Sequence, residues 1–331
     1  MVRFGIVRAE QFRSRPKGLL GRLRTGLTSH RISFQLLKDP IASADDSDLF
    51  DKLMSMIRLS SGVNRTTFQK RFADLDGAVN TFLMTRFGVD APLDVHDWAA
   101  SDCITSVEWA HTLLAVFPNA RLTASDLALY LLEVFCPGGA VFIAERDCEP
   151  LQYIVGAFVI RLNPPEPKLL VLNYLLGRHA MRKFPRVRGR ISPAVEYLDR
   201  GEGSVELPPY RVNRISLVHP RAASLQQRDL RFRIQRHSVF DCLQQPADVI
   251  RSMNIFNRAY FASERLAQGV RAVAESLKPG GIWIVGRTGS PGQADLAVSI
   301  LENTPRGFRL LQRFGGASDI EDLALQSSVP Q

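Results

Sequence analysis

The chain lacks the marks of a membrane-spanning, disulfide-stapled or metal-built protein. No apolar run approaches the roughly 20 residues needed to cross a bilayer, and the opening stretch has no apolar core of the secretory type. A soluble, cytoplasmic protein is therefore expected, although an Arg-rich, acid-poor start is also what an organellar transit peptide shows. The four cysteines, Cys103, Cys136, Cys148 and Cys242, have neither C-x-x-C spacing nor zinc-site pairing, so reduced thiols and no structural metal are expected. A phosphate-cradling GxxxxGK is missing, as is any Ser, His, Asp series at a recognisable spacing, which leaves triphosphatase and hydrolase readings without support. Internal repeats and low-complexity segments are absent too. Acids are short: 33 Asp and Glu stand against 42 Lys and Arg, a formal charge of +9 with a sequence pI near 9.7.

What is present is the composition of a globular protein, 45% hydrophobic and 23% charged, which argues against wholesale disorder. A length of 331 residues suffices for one large α/β domain with appendages, or for two domains. The positive charge is uneven: residues 1–38 hold nine Lys or Arg and only Glu10, and Arg178 to Arg190 hold six with no acid. Such clusters attract phosphates, nucleic acid or an anionic membrane surface, while a solvated basic face is the commoner cause. Residues 1–90 read as a basic arm followed by a pair of helices in front of a sheet. The first helix is marked by Leu49, Phe50, Leu53, Met56 and Ile57 after Ser47. The second is marked by Phe68, Phe72, Leu75, Val79 and Phe82, and stops at Gly88.

The clearest unit runs from Asp248 to Arg287. Asp248 to Met253 suits a buried parallel strand, Leu266, Val270, Val273 and Leu277 recur at helical spacing, and Ile282 to Val285 resume as a strand. Lys278 is placed in the last helical turn, with Pro279 and Gly280 stopping it. A second strand-helix-strand unit precedes it: Leu93 to Trp98, the loop AASDC, a helix over Ile104 to Phe117 with His111 on its packed face, and Ala120 to Ser125 ending at Asp126. Leu296 to Leu301 and Phe308 to Phe314 flank TPRG as a closing hairpin. Phe232 to Val239 also return to the core pattern, and together these features predict a doubly wound, mostly parallel, seven-stranded Rossmann-like sheet with residues 91–136 and 211–325 as its core. Residues 137–210 are extra: a hairpin around DCEP, a helix over Lys168 to Phe184, and a basic loop from Arg186 to Arg190. They read as an insertion that covers the acceptor, with Leu169, Leu172, Leu175 and Leu176 turned inward.

LKPGGIWIVGR resembles the segment entering the fifth strand of class I S-adenosylmethionine-dependent methyltransferases, and DVIRSMNIFNRAYF resembles their fourth strand and the loop after it. Nearest in shape are the chemotaxis-receptor glutamate methyltransferases, where an Asn-containing strand end precedes a Tyr-Phe pair. The resemblance covers roughly Leu93 to Phe314, with the middle third poorly matched. It implies S-adenosyl-L-methionine as cofactor and methyl transfer to a small-molecule, sugar or peptide acceptor.

An open parallel sheet binds ligands beyond the carboxyl ends of its strands, where strand order reverses. In the family pattern an acid there is followed by three glycines at alternate positions. Here Asp97 is the acid, and Ala99, Ser101 and Cys103 fill the glycine positions, where left-handed backbone angles become costly. Asp126 matches the carboxylate that accepts both ribose hydroxyls; the alternative is a helix N-cap for Leu127 onward. Ser238 falls where the family reads the adenine amino group, with Val239 and Phe240 beside it as ring contacts or plain core. Asn254 matches a contact to methionine or substrate. Asn254, Tyr260 and His237 are the candidate catalytic residues, with Arg251, Asn257 and His96 nearby, although a lone histidine is more often structural. Two functions follow: a methyltransferase, or a non-catalytic binding module on the same fold with a degenerate cofactor site and a basic surface for nucleic acid or membrane. Nucleic acid is the less favoured partner, since no aromatic residues interleave Arg186, Arg188 and Arg190 for base stacking.

Overall fold

The computed structural model describes residues 4–6, 31–38, 44–59, 65, 67–288 and 296–326. The expected basic arm lies mostly outside them. In chain order, β1 (Gly5–Ile6) and β2 (Arg31–Ile32) precede a 3-10 turn at Phe34–Lys38 and α1 (Ala44–Met56). Then come α2 (Ala73–Phe87), β3 (Asp94–Trp98), α3 (Ile104–Val116) and β4 (Arg121–Asp126). The chain continues through β5 (Tyr130–Phe135), β6 (Val141–Ala144), β7 (Pro150–Val155), β8 (Phe158–Arg161), α4 (Val171–Ile191), α5 (Ala194–Asp199), β9 (Ser204–Leu207) and β10 (Tyr210–Ser216). It closes with α6 (Pro220–Arg228), β11 (Phe232–Arg236), β12 (Ala247–Met253), α7 (Ser263–Ser276), β13 (Leu277–Thr288), β14 (Leu296–Thr304), β15 (Gly307–Gly315) and α8 (Glu321–Gln326). Two interleaved units result: Met1–Thr66 with Ala128–Leu217, and Thr67–Leu127 with Val218–Gln331.

The second unit contains the parallel sheet, in the order β11-β4-β3-β12-β13-β14-β15. Its apolar strands are continuous rather than alternating because both faces are covered. Val249 and Met253 of β12, with Ile282 and Ile284 of β13, join one core with α2, α3 and α6. Ala247 and Ile250, with Trp283 and Val285, join the other with α7 and α8. β14 runs antiparallel to both of its neighbours and is the sheet's one reversed strand. This is the mostly parallel, seven-stranded sheet with a closing hairpin that the periodicities predict.

The first unit is a six-stranded antiparallel sheet, β8-β7-β6-β5-β10-β9. Successive residues face opposite sides: Leu131 packs with α1 and the Phe34–Lys38 turn, and Leu132 packs with α4. Buried Glu133 binds that turn to the sheet, accepting from Lys38 Nζ at 2.7 Å, Gln35 Nε2 at 2.7 Å and Asn213 Nδ2 at 3.0 Å.

Several local expectations are corrected. The two N-terminal helices are not a pair, because α1 and α2 belong to different units. Phe68 and Phe72 precede α2, which begins at Ala73. Lys278 lies beyond α7, in the extended start of β13, where its Nζ reaches Asp248 at 2.9 Å. His111 is exposed. Tyr130 to Phe135 and Arg211 to Ser216, read as core, instead pair with each other in the antiparallel sheet. Arg186 to Arg190 are helical, because α4 continues through Pro185. Its buried side is Asn173, Ala180, Phe184, Val187 and Ile191, while Leu169, Leu172 and Leu175 are exposed. The inner stripe is set by what touches the sheet, not by where leucine is densest.

Candidate active site

Strand order reverses between β3 and β12, whose register pairs Trp98 with Ser252. The residues beyond their carboxyl ends, and beyond those of β4 and β11, therefore gather along one edge of the sheet. The loop Ala99 to Cys103 has the geometry its sequence made costly. Ala99, Ser101 and Cys103 all lie in the left-handed region, at φ 57°, 57° and 67°. Asn254, beyond β12, does so too, at φ 60°. Four of the six described non-glycine residues with positive φ thus stand at one crevice. Strained backbone of this kind persists only where the surroundings over-determine it.

The surroundings are specific. Ala100 N donates to Ser125 O at 2.9 Å, Ser101 N to Asp126 Oδ2 at 2.8 Å, and Cys103 N to Ala100 O at 2.9 Å. Asp102 Oδ1 accepts from Ile104 N, the first N–H of α3, at 3.1 Å across the left-handed Cys103. Beneath the loop, buried Asp97 accepts from Arg251 Nε at 2.9 Å and Nη2 at 2.6 Å, and from Ser106 Oγ at 2.5 Å. Asp97 enters the loop and Ser106 lies in the helix that leaves it, so this carboxylate ties the two ends together. Arg251 is fully buried over the Trp109 ring, 4.0 Å from its centroid, and gives its remaining Nη1 to Asp76 Oδ1 at 2.6 Å. Burial raises the Asp76 carboxyl to about 7, with Arg251 opposing and Asp97 adding to the rise.

The sequence-derived candidates separate into three groups. Asp97 and Arg251 brace the loop from within the core. Val239 is buried in the core around Trp98, and Ser238 turns inward on its own loop, accepting from Phe240 N at 3.2 Å. Those at the edge are Ala99, Ser101, Asp126, exposed Leu127, His237 and Asn254. The N-cap alternative for Asp126 is excluded, since the chain after it runs through a bend into β5 and forms no helix. His237 donates its backbone N–H to Asp126 O at 3.2 Å and lays its ring against Trp98, centroids 4.6 Å apart. Burial holds its imidazole below the ordinary histidine range, with His96 adding to the effect and Asp241 opposing. Asn254 spends its side-chain oxygen on Thr288 N at 3.0 Å, locking the ends of β12 and β13 together. Tyr260 is exposed, its ring edge-on to Phe261, and Asn257 Oδ1 accepts from Ala259 N at 2.7 Å within the same turn. His96 lies in the body of β3, its Nε2 3.7 Å from Asp94.

Sequence reasoning missed Arg71. Its Nε donates to Thr288 Oγ1 at 2.9 Å, one residue contact away from Asn254, and its guanidinium lies over Phe68 and Phe72. Burial lowers its pKa, with Tyr260 close enough to oppose. Nothing in QKRF marks one cation as the inward one.

The strain makes a test of the loop. Glycine at Ala99 removes the left-handed penalty at some entropic cost, so Ala99→Gly should raise stability by about 0.5–1 kcal/mol in urea unfolding. A loss of stability would show that the side chain at this position is held by contacts worth more than the strain.

No family model matches the chain, and no curated protein matches it significantly by sequence. Solved structures match it loosely. A sugar N-methyltransferase from Streptoalloteichus sp. is 13% identical over 75% of this chain and 74% of that one, with a TM-score of 0.31. An amino pentose methyltransferase from Micromonospora echinaspora, solved with S-adenosylmethionine bound, is 12% identical over 73% and 68%, at 0.29. An O-methyltransferase family protein from Burkholderia thailandensis is 12% identical over 76% of this chain, at 0.30, but only 42% of its own length is spanned. Scores this low assign neither family nor substrate.

Proposed function

We propose that this chain is an S-adenosylmethionine-dependent methyltransferase whose cofactor lies at the edge formed by Ala99 to Cys103, Asp126 and Asn254. The observation that carries the reading is the left-handed conformation of Ala99, Ser101 and Cys103. These are the three positions where the family pattern has glycine, and the backbone takes the glycine shape without glycine. Small side chains there leave the backbone approachable, so the residues present fit the cofactor. When bound, it supplies a methyl carbon activated by a sulfonium.

The protein's part is alignment and exclusion of water. Asp126 has one oxygen on Ser101 N and is assigned the ribose hydroxyls. Arg71, half-buried beside Thr288, is the cation assigned to the methionine carboxylate. Asn254 fixes the floor by joining β12 to β13. His237, kept neutral at physiological pH, is the group assigned to take the proton that an acceptor hydroxyl or amine releases. The acceptor is a small molecule, a sugar or a peptide side chain.

Titration of the wild type, Asp126→Asn and Asp126→Ala with S-adenosylmethionine and S-adenosylhomocysteine tests the reading. Asparagine keeps an acceptor for Ser101 N but removes the charge, so it should weaken binding about tenfold to a hundredfold while leaving stability unchanged. Alanine should weaken binding at least as much and also loosen the loop. Absence of binding by the wild type would sink the methyltransferase reading and leave the non-catalytic module.

A further inference from the structure

Helix α4 carries a face that the other described residues leave uncovered. Since Asn173, Ala180, Phe184, Val187 and Ile191 are buried, the opposite side is fixed by helical geometry. That side opens with Val171, Leu172 and Leu175, which are 56, 38 and 55% exposed. It continues with Arg178, Arg182, Arg186 and Arg190, all exposed and spaced four apart, so that they form one ridge. Lys183 stands beside it. Among the described residues none of these five cations has an acidic partner, whereas Arg188, off the ridge, pairs with Glu149 at 2.8 Å. No acid occurs between Glu166 and Glu196. Like charges at i, i+4 work against a helix, and this one repeats the arrangement three times over. Two clefts border the ridge, of about 290 and 620 Å³: Arg178 and Arg182 line the first together with Arg161 and Glu166, and Arg186 and Arg190 line the second.

We propose that α4 docks this chain on an anionic phospholipid bilayer, with its leucine-rich first turns in the acyl boundary and its arginine ridge on the headgroup phosphates. Durable membrane attachment takes two signals, and an apolar insertion joined to a polybasic patch supplies both. Charge alone would equally suit RNA. The aliphatic end, by contrast, would be idle there. The inference is independent of the methyl-transfer reading.

Cosedimentation of the full chain with vesicles tests it. Binding is expected to phosphatidylcholine vesicles containing phosphatidylglycerol, falling as salt rises, and not to phosphatidylcholine alone. Each ridge cation near an anionic surface is worth about fivefold in partition, so Arg182→Gln with Arg186→Gln should weaken binding about thirtyfold. Leu172→Ser with Leu175→Ser should weaken it at least tenfold. All four side chains are exposed, so both variants should keep the wild-type circular dichroism and melting temperature. Vesicle binding unchanged in both variants would overturn the proposal, as would equal binding to neutral vesicles. Tight binding of a single-stranded RNA by a chain that ignores both vesicle types would do the same.

Discussion

Replacing Arg251 with methionine is expected to lower the unfolding free energy by about 3–5 kcal/mol. The guanidinium is fully buried and serves two carboxylates, so its loss strands Asp97 without a counter-charge and Asp76 without its hydrogen-bond donor, in a site closed to water. The pair is not simply a source of stability, because removing charge from all sides is far less costly than removing it from one. Arg251→Met combined with Asp97→Asn and Asp76→Asn should therefore recover much of the loss. Urea unfolding of the single and triple variants checks this. A single variant that loses less than about 1 kcal/mol would mean that the carboxylates find other partners or take up protons at little cost. The same substitution reaches the site. Once Asp97 is loosened from Ser106, the left-handed loop is no longer over-determined, and cofactor affinity should fall together with stability.

The second large effect is a pH dependence centred on Asp76. Its carboxyl titrates near 4 in the unfolded chain and at about 7 in the fold, chiefly because it is buried. A carboxyl whose folded pKa is raised contributes fully below the unfolded value and loses that contribution as pH rises toward the folded one. The folded state binds the extra proton between about pH 4 and 7, so in this window stability should fall with rising pH, by on the order of 1 kcal/mol per pH unit. Two histidines act in the opposite sense. Burial lowers His219, whose Nδ1 caps α6 by accepting from Arg221 N, to about 4, and it lowers His237 as well. The raw profile of the wild type therefore mixes both signs, and the difference between wild type and Asp76→Asn isolates the carboxyl. That difference should change by roughly 3 kcal/mol from pH 4 to pH 7. A flat difference would show that Asp76 is ionised throughout, held by Arg251.

The elements built on local periodicity were legible in the chain. The strand, helix and strand from Asp248 to Arg287 were found because Leu266, Val270 and Val273 repeat at the period of the face they bury. The left-handed loop was not legible from its own residues, only through the family pattern, since φ at Ala99, Ser101 and Cys103 is imposed by hydrogen bonds accepted by Ser125, Asp126 and Asp102 rather than by any preference of alanine, serine or cysteine. Nor was the brace beneath it, whose members Asp76 and Arg251 are 175 residues apart. On α4 the error had a physical source. Leucine density was taken for the buried side, and Pro185 for the end of the helix. Proline removes one intrahelical hydrogen bond, and the packing of Phe184, Val187 and Ile191 on either side of it carries the helix past that point. Asp126 was correctly placed at a strand end, but the next element is a strand, so the cap that competed with its proposed role does not exist.

The interleaving of the two units fixes the order in which the nascent chain can fold. When residue 127 has been synthesised, only β3 and β4 of the parallel sheet exist, and the partner of β3 on its other side lies 154 residues further on, as the Asp97 to Arg251 separation measures. The antiparallel sheet can close first, once β10 is made. Until β12 leaves the ribosome, β3 has an open edge, and such edges are templates for wrong pairing. A late, long-range closure of this kind slows folding and leaves an aggregation-exposed intermediate. The central crevice, proposed above as the cofactor site, is thus among the last parts of the protein to come into existence.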